Sequence, residues 1–218
     1  MSETCDRESG TQRPYGYNPA AYGSHAKPMA LVRDGARVLD VGCAEGYIAQ
    51  QLSARGCTVY GIELDPGAAD AARQYCEDVL VADVDTLTAL PWEGLQFDAI
   101  LCMDILEHLK DPARALRMLQ DYLAPDGLMV ITLPNVANWW IRFRLLRGKW
   151  QYDDLGIMDR THLRFFDLKG ARALVETAGY TIEAMDVTPG VGAWAPYHYT
   201  IGALLRALGL AERVDYTL

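Results

Sequence analysis

The chain has no uninterrupted apolar run near the roughly 20 residues that cross a bilayer, although half of its 218 residues are hydrophobic. Its opening, MSETCDRESG, is polar and has no apolar stretch behind a basic start, so it resembles neither a secretory signal nor a membrane anchor. We therefore expect a protein of the cytoplasm without stable membrane insertion.

Basic residues are scarce. The chain has 20 lysines and arginines against 29 acidic residues, and its formal net charge is −9. Such a charge repels phosphate backbones, which argues against nucleic acid as the main partner. A small molecule is the partner that this composition favours, with a homodimer left open.

The five cysteines show no Cys-x-x-Cys spacing, and their number is odd. This argues against a disulfide framework and against a zinc site, so no metal is predicted. Cys43 and Cys102 lie in or beside apolar runs, where a buried and unreactive thiol is the commoner case.

Short apolar runs alternate with helical patterns from Arg37 onwards. Asp65-Pro66 and Asp111-Pro112 each supply a helix N-cap followed by a first-turn proline. This alternation predicts a parallel sheet covered by helices on both faces, with ligands at the carboxyl ends of the strands. The predicted strands are RVLDVG, TVYGIELD, VLVADV, FDAILCM and GLMVITLP.

The regular pattern stops after Pro134, where a long aromatic and basic segment begins. We interpret residues 136–166, called the insertion below, as a lid over the site. We expect a single domain over 1–218, with an N-terminal cover (1–28), a cofactor-binding core (29–135), the insertion, and C-terminal helices and strands (167–218). YTIEAMDV is the predicted sixth strand, and YTIGALLRALGL is a predicted terminal helix.

The first glycine-rich loop does not fit a pyrophosphate. Dinucleotide sites use Gly-x-Gly-x-x-Gly so that the backbone can close on two phosphates. Counted from Gly42, the second and third glycines of that motif are replaced by Ala44 and Tyr47. The pattern present instead is Asp40-x-Gly42-x-Ala44-x-Gly46, which disfavours an NAD-dependent oxidoreductase.

In its context VLDVGCAEG, this loop resembles the first motif of class I S-adenosylmethionine-dependent methyltransferases, with Ala44 where the family usually has glycine. The resemblance implies an α/β fold with a Rossmann-like, doubly wound, mostly parallel sheet of seven strands, flanked by helices, and a lid after strand 5. It also implies S-adenosylmethionine as cofactor and S-adenosylhomocysteine as product. Gly46 is expected to leave room for the methionine portion of the cofactor.

Three later positions agree with this family. Glu63 ends the second strand, where members place an acid that binds both ribose hydroxyls, and Asp83 matches the acid that reads the adenine amino group. FDAILCMDILEHL resembles the fourth motif, whose strand end lines the methionine portion. The implied cofactor-binding residues are Asp40, Gly42, Ala44, Gly46, Glu63, Leu64, Asp83, Val84, Cys102 and Met103.

The features LEHL, LPNVANW and DRTHLRFF resemble the small bacterial methyltransferases of the type 11, 12 and 23 groupings, which include ubiquinone- and methionine-biosynthesis-like members. This implies methyl transfer to an oxygen or nitrogen of a sugar, a natural product or a quinone-like metabolite. The residues expected to contact the acceptor are Asn135, Trp139, Arg160 and Arg164.

The sulfonium is already activated, so the protein has mainly to align the acceptor and exclude water, and a general base helps a hydroxyl acceptor. His162, between two arginines of the insertion, is the first candidate for that base, followed by His25 and Tyr17. We interpret His108 as a helix-packing residue, with catalysis as the alternative.

The block WWIRFRLLRGKW concentrates positive charge and tryptophan in an acidic protein. It fits a pocket for an anionic or aromatic acceptor, a helix that touches a lipid surface, or a lid whose aromatic side chains pack on the core. A non-catalytic S-adenosylmethionine-binding partner protein is the alternative function, because it would keep the cofactor residues and need no acceptor pocket.

Overall fold

The computed structural model of the protein describes residues 25–186. Five strands form one sheet in the order β3-β2-β1-β4-β5, and every pair is parallel. The crossover between β1 and β4 is the point where the strand order reverses, which confirms the predicted doubly wound sheet. The strands are β1 (Arg37–Val41), β2 (Thr58–Glu63), β3 (Asp78–Val81), β4 (Phe97–Met103) and β5 (Leu123–Thr132).

Helices connect and flank these strands. Aspartates cap two of them as predicted: Asp65 accepts from the Ala68 amide at 2.8 Å, and Asp111 accepts from the Arg114 amide at 2.9 Å. The helices are α1 (Ala26–Met29), α2 (Tyr47–Ser53), α3 (Pro66–Ala72), α4 (Pro112–Gln120), α5 (Trp139–Leu146) and α6 (Leu168–Thr177), with a 3-10 helix at Leu106–His108.

The sheet is buried on both faces, as its continuous apolar strands require. Leu39 and Ile100 belong to a cluster that includes residues of α4 and α6, whereas Val38 and Leu101 belong to a cluster that includes residues of α1 and α2. All four side chains are fully buried. Burying each aliphatic side chain of this kind contributes about 1.5–3 kcal/mol.

The C-terminal part differs from the sequence-based expectation. Residues 180–186 form no strand, so the sheet of the described residues has five strands, and the predicted total of seven stays a prediction. Tyr180 instead packs its ring against the core and donates its hydroxyl to the Leu116 carbonyl at 2.8 Å. The predicted terminal helix (199–210) and all but the last residues of the N-terminal cover lie outside the described range.

The insertion begins and ends side by side, because the Val136 amide donates to the Phe166 carbonyl at 2.8 Å. Within it, Arg144 bonds Asp153 at 2.6 Å and links α5 to the following loop. Trp140 is 48% exposed. Phe143 and Trp150 are 42% and 48% exposed. The interpretation that the aromatic side chains of this block pack on the core is therefore wrong for these three residues.

Within residues 25–186, no helix has both the length and the apolar character that crossing a membrane requires.

Candidate active site

A tight loop follows β1 at the carboxyl edge of the sheet. Gly42, Ala44 and Gly46 all have positive φ angles, of 78°, 47° and 81°. The amides of Gly42 and Cys43 both donate to the Ile62 carbonyl, at 2.8 and 3.1 Å, which ties the loop to β2. The backbone therefore bends sharply beside the reversal point, where such sheets bind ligands.

Glu63 ends β2 next to this loop, and its side chain is bound from two sides. The Ala44 amide donates to Oε2 at 2.9 Å and the Asp65 amide donates to Oε1 at 2.8 Å. Each carboxylate oxygen can accept more than one hydrogen bond, so both retain capacity for a ligand. Leu64 beside it is 66% exposed and offers an apolar surface at the same edge.

Asp40 lies in β1, one residue before its end, and is 3% exposed. Among residues 25–186, nothing donates a hydrogen bond to its Oδ2. Burial raises the pKa of Asp40 to about 7, and the neighbouring charge of Glu63 adds to the shift. The site thus holds a carboxyl group that a nearby cation would stabilise in its charged form.

The packing of α3 constrains Gly46. A Cβ on this residue would lie 2.9 Å from the Ala72 Cα and 3.3 Å from the Tyr75 ring, both in or just after α3. The space that a side chain would need is thus filled by α3, and the predicted contact of Gly46 with the cofactor stays a prediction. Its positive φ, at the start of α2, is the second constraint.

Asp83 and Val84 follow β3 rather than ending it. Asp83 Oδ1 accepts from the Asp85 amide at 2.9 Å, which shapes the turn. Val84 is buried, and its carbonyl accepts from the Arg114 guanidinium at 2.8 Å. Their predicted contacts with the adenine ring stay predictions.

The end of β4 also differs from the expectation. The side chain of Cys102 is fully buried in the core, with its sulfur 4.0 Å from that of Met129. It does not line the site, and burial raises its thiol pKa far above the ordinary value. Met103 is half-buried at the strand end, and its predicted contact with the cofactor stays a prediction.

Asp104, which sequence reasoning missed, is the polar group that follows β4. Its φ of 52° is rare for a residue with a side chain. Thr132, at the end of β5, donates its hydroxyl to Asp104 Oδ1 at 2.9 Å. Burial raises the pKa of Asp104, while the Thr132 hydrogen bond and the charges of His25 and His108 oppose that rise. The available signal was an acid placed directly after a predicted strand.

His25 lies at the N-terminus of α1, and its ring centroid is 5.3 Å from that of Tyr47. Burial lowers its pKa from 6.5, and the nearby charge of Asp104 opposes the shift. The structure thus brings one predicted catalytic histidine to the end of β4. Tyr17, another candidate, lies outside the described residues.

His162 belongs to the insertion, and its side chain is buried. Its Nδ1 is 3.1 Å from the Ile157 carbonyl, and its Nε2 is 3.9 Å from Glu107 Oε1. Its ring centroid is 4.8 Å from that of His108. Burial lowers the pKa of His162, and the charge of His108 lowers it further.

Glu107, in the 3-10 helix, is the second group that sequence reasoning missed. It is 1% exposed. Burial raises its pKa well above the ordinary value, and the charges of Asp104 and then Asp159 contribute. Its carbonyl accepts from the amides of Leu163 and Arg164, at 2.8 and 3.0 Å, so the insertion is fastened directly over it.

Three of the predicted acceptor residues lie in the insertion, and the fourth, Asn135, directly precedes it. Asn135 is buried, and its Oδ1 accepts from the Ala137 amide at 2.9 Å. Trp139, at the first position of α5, is half-buried and stacks edge-on against Trp140.

The two arginines of that set are exposed. Arg160 pairs with Asp154 at 2.5 Å on the surface of the insertion, and Arg164 donates to the Lys110 carbonyl at 2.6 Å. Arg164 therefore fastens the insertion to the loop after the 3-10 helix, and its role in acceptor binding stays a prediction.

Residues 20–185 match the family model described as "Methyltransferase domain". The ubiquinone biosynthesis O-methyltransferase of Psychrobacter arcticus is 34% identical over 117 residues, which cover 51% of this chain and 46% of the relative. That of Ruegeria pomeroyi is 31% identical over 134 residues, covering 60% and 46%. The matched part thus spans about half the length of these curated relatives.

Two solved structures share the fold. An S-adenosylmethionine-dependent methyltransferase from Mesorhizobium loti has a TM-score of 0.59 at 19% identity and covers 89% of this chain and 95% of its own. A possible histamine N-methyltransferase from Thermotoga maritima has a TM-score of 0.57 at 20% identity, with coverages of 78% and 84%.

The family match extends over the loop after β1, Glu63, the end of β4 and the insertion. The chain therefore belongs to the methyltransferase domain family, which confirms the class I S-adenosylmethionine-dependent type that its motifs resemble and the cofactor that this type uses.

Proposed function

We propose that this chain transfers the methyl group of S-adenosylmethionine to an oxygen or nitrogen atom of a small-molecule acceptor. Glu63 is the observation that carries the proposal. It is held by two backbone amides at the carboxyl edge of the sheet, with acceptor capacity remaining on both oxygens. A carboxylate fixed in this way can bind the two adjacent hydroxyls of a ribose.

The charges at this edge suit a cationic cofactor. Asp40, Glu63 and Asp104 lie at or beside the ends of β1, β2 and β4, and burial raises the pKa of both aspartates. The sulfonium and ammonium groups of S-adenosylmethionine are positive. Opposite charge within a few ångströms stabilises carboxylates in their ionised form, so cofactor and site are complementary.

Oxygen is the acceptor atom that we favour, because the matched relatives from Psychrobacter and Ruegeria are O-methyltransferases by name. His25 is then the preferred general base, since its ring lies 5.3 Å from that of Tyr47 in the helix that follows the first loop, whereas the His162 ring faces Glu107. His25 would take the proton of the acceptor oxygen as that oxygen becomes methylated. S-adenosylmethionine, when bound, would supply the methyl group, and the electron pair of the broken carbon–sulfur bond would stay on sulfur, so S-adenosylhomocysteine would be the product.

The remaining predictions belong with this proposal. A small-molecule rather than a nucleic-acid partner agrees with the net charge of −9. The cytoplasmic location and the homodimer stay predictions. The acceptor classes are those named from the motifs: sugars, natural products and quinone-like metabolites.

The test is calorimetric titration of S-adenosylhomocysteine into the wild type and Glu63→Gln, with Glu45→Gln as the matched control. Glu45 is an exposed acid in the same loop region. Loss of a charged hydrogen bond costs about 1.5–3 kcal/mol, so Glu63→Gln should weaken binding ~10- to 150-fold, and Glu45→Gln should bind like the wild type.

If folded Glu63→Gln binds S-adenosylhomocysteine as tightly as the wild type does, Glu63 is not the residue that binds the ribose hydroxyls. Transfer of a labelled methyl group to a panel of phenols, catechols, sugars and amines then separates an enzyme from a non-catalytic binding partner. A protein that binds the cofactor but methylates no member of the panel contradicts the proposed reaction.

A further inference from the structure

We propose that Glu107, His108 and His162 form a binding site for a divalent first-row transition-metal cation. Glu107 and His108 are neighbours in the 3-10 helix after β4, and His162 comes from the insertion. Their ligand atoms, one from each residue, all lie within 4.8 Å of one another. The sequence did not indicate a metal because His162 is far from Glu107 and His108 in the chain and no cysteine pair accompanies them.

Glu107 is the group that most needs such a partner. Its side chain is 1% exposed, and among the described residues neither of its carboxylate oxygens accepts a hydrogen bond from another residue. A buried carboxylate without hydrogen bonds or a counter-charge is costly, and buried charges in proteins are normally paired or bound to metal. His162 Nε2, at 3.9 Å, lies near Glu107 but beyond hydrogen-bonding distance.

The His162 ring is oriented as a metal ligand would be. Its Nδ1 lies 3.1 Å from the Ile157 carbonyl, which can only accept, so the ring proton belongs on Nδ1. Nε2 therefore carries a lone pair, and it is the nitrogen that faces Glu107. Metal-binding histidines are commonly held in this way by a backbone carbonyl on the other ring nitrogen.

His108 is held by a second hydrogen-bond chain. Its Nδ1 lies 3.3 Å from the Thr161 carbonyl and 3.2 Å from the Thr161 hydroxyl. That hydroxyl donates to Asp159 Oδ1 at 2.7 Å, so it accepts from the imidazole. Nδ1 again carries the proton, and buried Asp159 supports the arrangement through Thr161.

The donor set selects the class of cation. Two imidazoles with one carboxylate suit Zn²⁺, Co²⁺ or Mn²⁺ better than Ca²⁺, which prefers oxygen ligands alone. Three protein ligands also leave coordination positions open for water. An acceptor oxygen could take such a position, and only that use of the site depends on the proposed methyl transfer.

The experiment uses the full chain, treated with a chelator that is then removed, and titrated with Co²⁺ and, separately, Zn²⁺. We expect the visible absorption of protein-bound Co²⁺ and a calorimetric isotherm for Zn²⁺ with saturable binding. Glu107→Gln and His162→Gln should each weaken Co²⁺ binding at least ~10-fold, because each removes one of three ligands. His25→Gln, which alters a histidine outside the cluster, should leave it unchanged.

Thr161→Val keeps the proposal testable if a ligand variant does not fold. It removes the hydroxyl that orients His108 but no ligand, and should weaken Co²⁺ binding by about 10-fold. Absence of Co²⁺ absorption in the folded wild type, or undiminished binding in the folded variants, would overturn the site. S-adenosylhomocysteine titration of the same preparation separates this failure from failure of the proposed function.

Discussion

His25 is the residue whose chemistry bears most directly on the proposed methyl transfer. Its ring lies 5.3 Å from that of Tyr47, and burial lowers its pKa from 6.5. A lower pKa keeps the imidazole neutral, and so able to accept a proton, over more of the physiological range. The charge of Asp104 opposes this lowering of the His25 pKa, so the imidazole keeps part of its strength as a base.

The first prediction concerns this histidine. His25→Gln should lower kcat with a phenolic acceptor by about 10²-fold, the usual contribution of a general base, while S-adenosylhomocysteine affinity changes by less than about 3-fold. In the wild type, kcat/KM should rise with pH, and the midpoint of that rise should lie below 6.5, because the base has a lowered pKa. The measurement is steady-state kinetics between pH 5 and 9, with Lys27→Gln in the same helix as control. A wild-type rate in His25→Gln throughout that range would exclude the residue as base.

At the scale of elements, the loop after β1 serves two purposes. It carries the bend that brings the Ala44 amide to Glu63, and it lets α2 start against α3. Gly46 serves both purposes. Its positive φ and its closeness to Ala72 each disfavour a side chain at this position.

The second prediction compares two glycines of similar φ. Gly46 and Gly56 have φ of 81° and 77°, but a Cβ on Gly56 would meet nothing within 4 Å. Both substitutions by alanine pay the left-handed backbone cost of about 1–2 kcal/mol. Gly46→Ala should lose a further ~1–3 kcal/mol of unfolding free energy, because its Cβ presses on α3.

Urea unfolding of both variants at one pH measures this difference. Equal losses of stability in the two variants would mean that the close packing of α2 on α3 does not constrain position 46. Space for a ligand would then be the remaining explanation for glycine at this position.

At the scale of the whole molecule, buried carboxylates make stability depend on pH. Asp40 has a pKa of about 7 in the folded protein and about 3.9 when unfolded. Between these values the folded state binds more protons than the unfolded state. Stability from this group is therefore fully present below pH ~3.9 and is lost as pH rises through 7.

The third prediction follows from that sign. From pH 5 to 8, the unfolding free energy of the wild type should fall relative to Asp40→Asn, with a slope of up to about 1.4 kcal/mol per pH unit below pH 7. Asp98→Asn is the control. Hydrogen bonding to the Arg37 amide lowers the pKa of Asp98, so its contribution is complete above pH ~4 and constant over this range. Parallel pH profiles of wild type and Asp40→Asn would contradict the assignment.

The sequence by itself determined the parallel sheet, the capped helices and the family. Local chemistry was sufficient for these: apolar runs such as FDAILCM are typical of buried strands, Asp65-Pro66 starts a helix whatever lies beyond it, and VLDVGCAEG contains the whole first loop. Glu63 was predictable for the same reason, because it lies where a strand ends.

Only the tertiary structure decided which side chains meet at the site. Cys102 and Asp104 are two residues apart, so a continued strand would put both side chains on one face of the sheet. Instead β4 ends at Met103 and Asp104 has a positive φ, so Cys102 is enclosed in the core while Asp104 accepts the Thr132 hydroxyl at the strand end. Gly46 is constrained by a helix that begins twenty residues later. Glu107 and His162 are brought together by the hydrogen bonds that fasten the insertion to the 3-10 helix, and contacts between segments so distant in the chain leave no local pattern in the sequence.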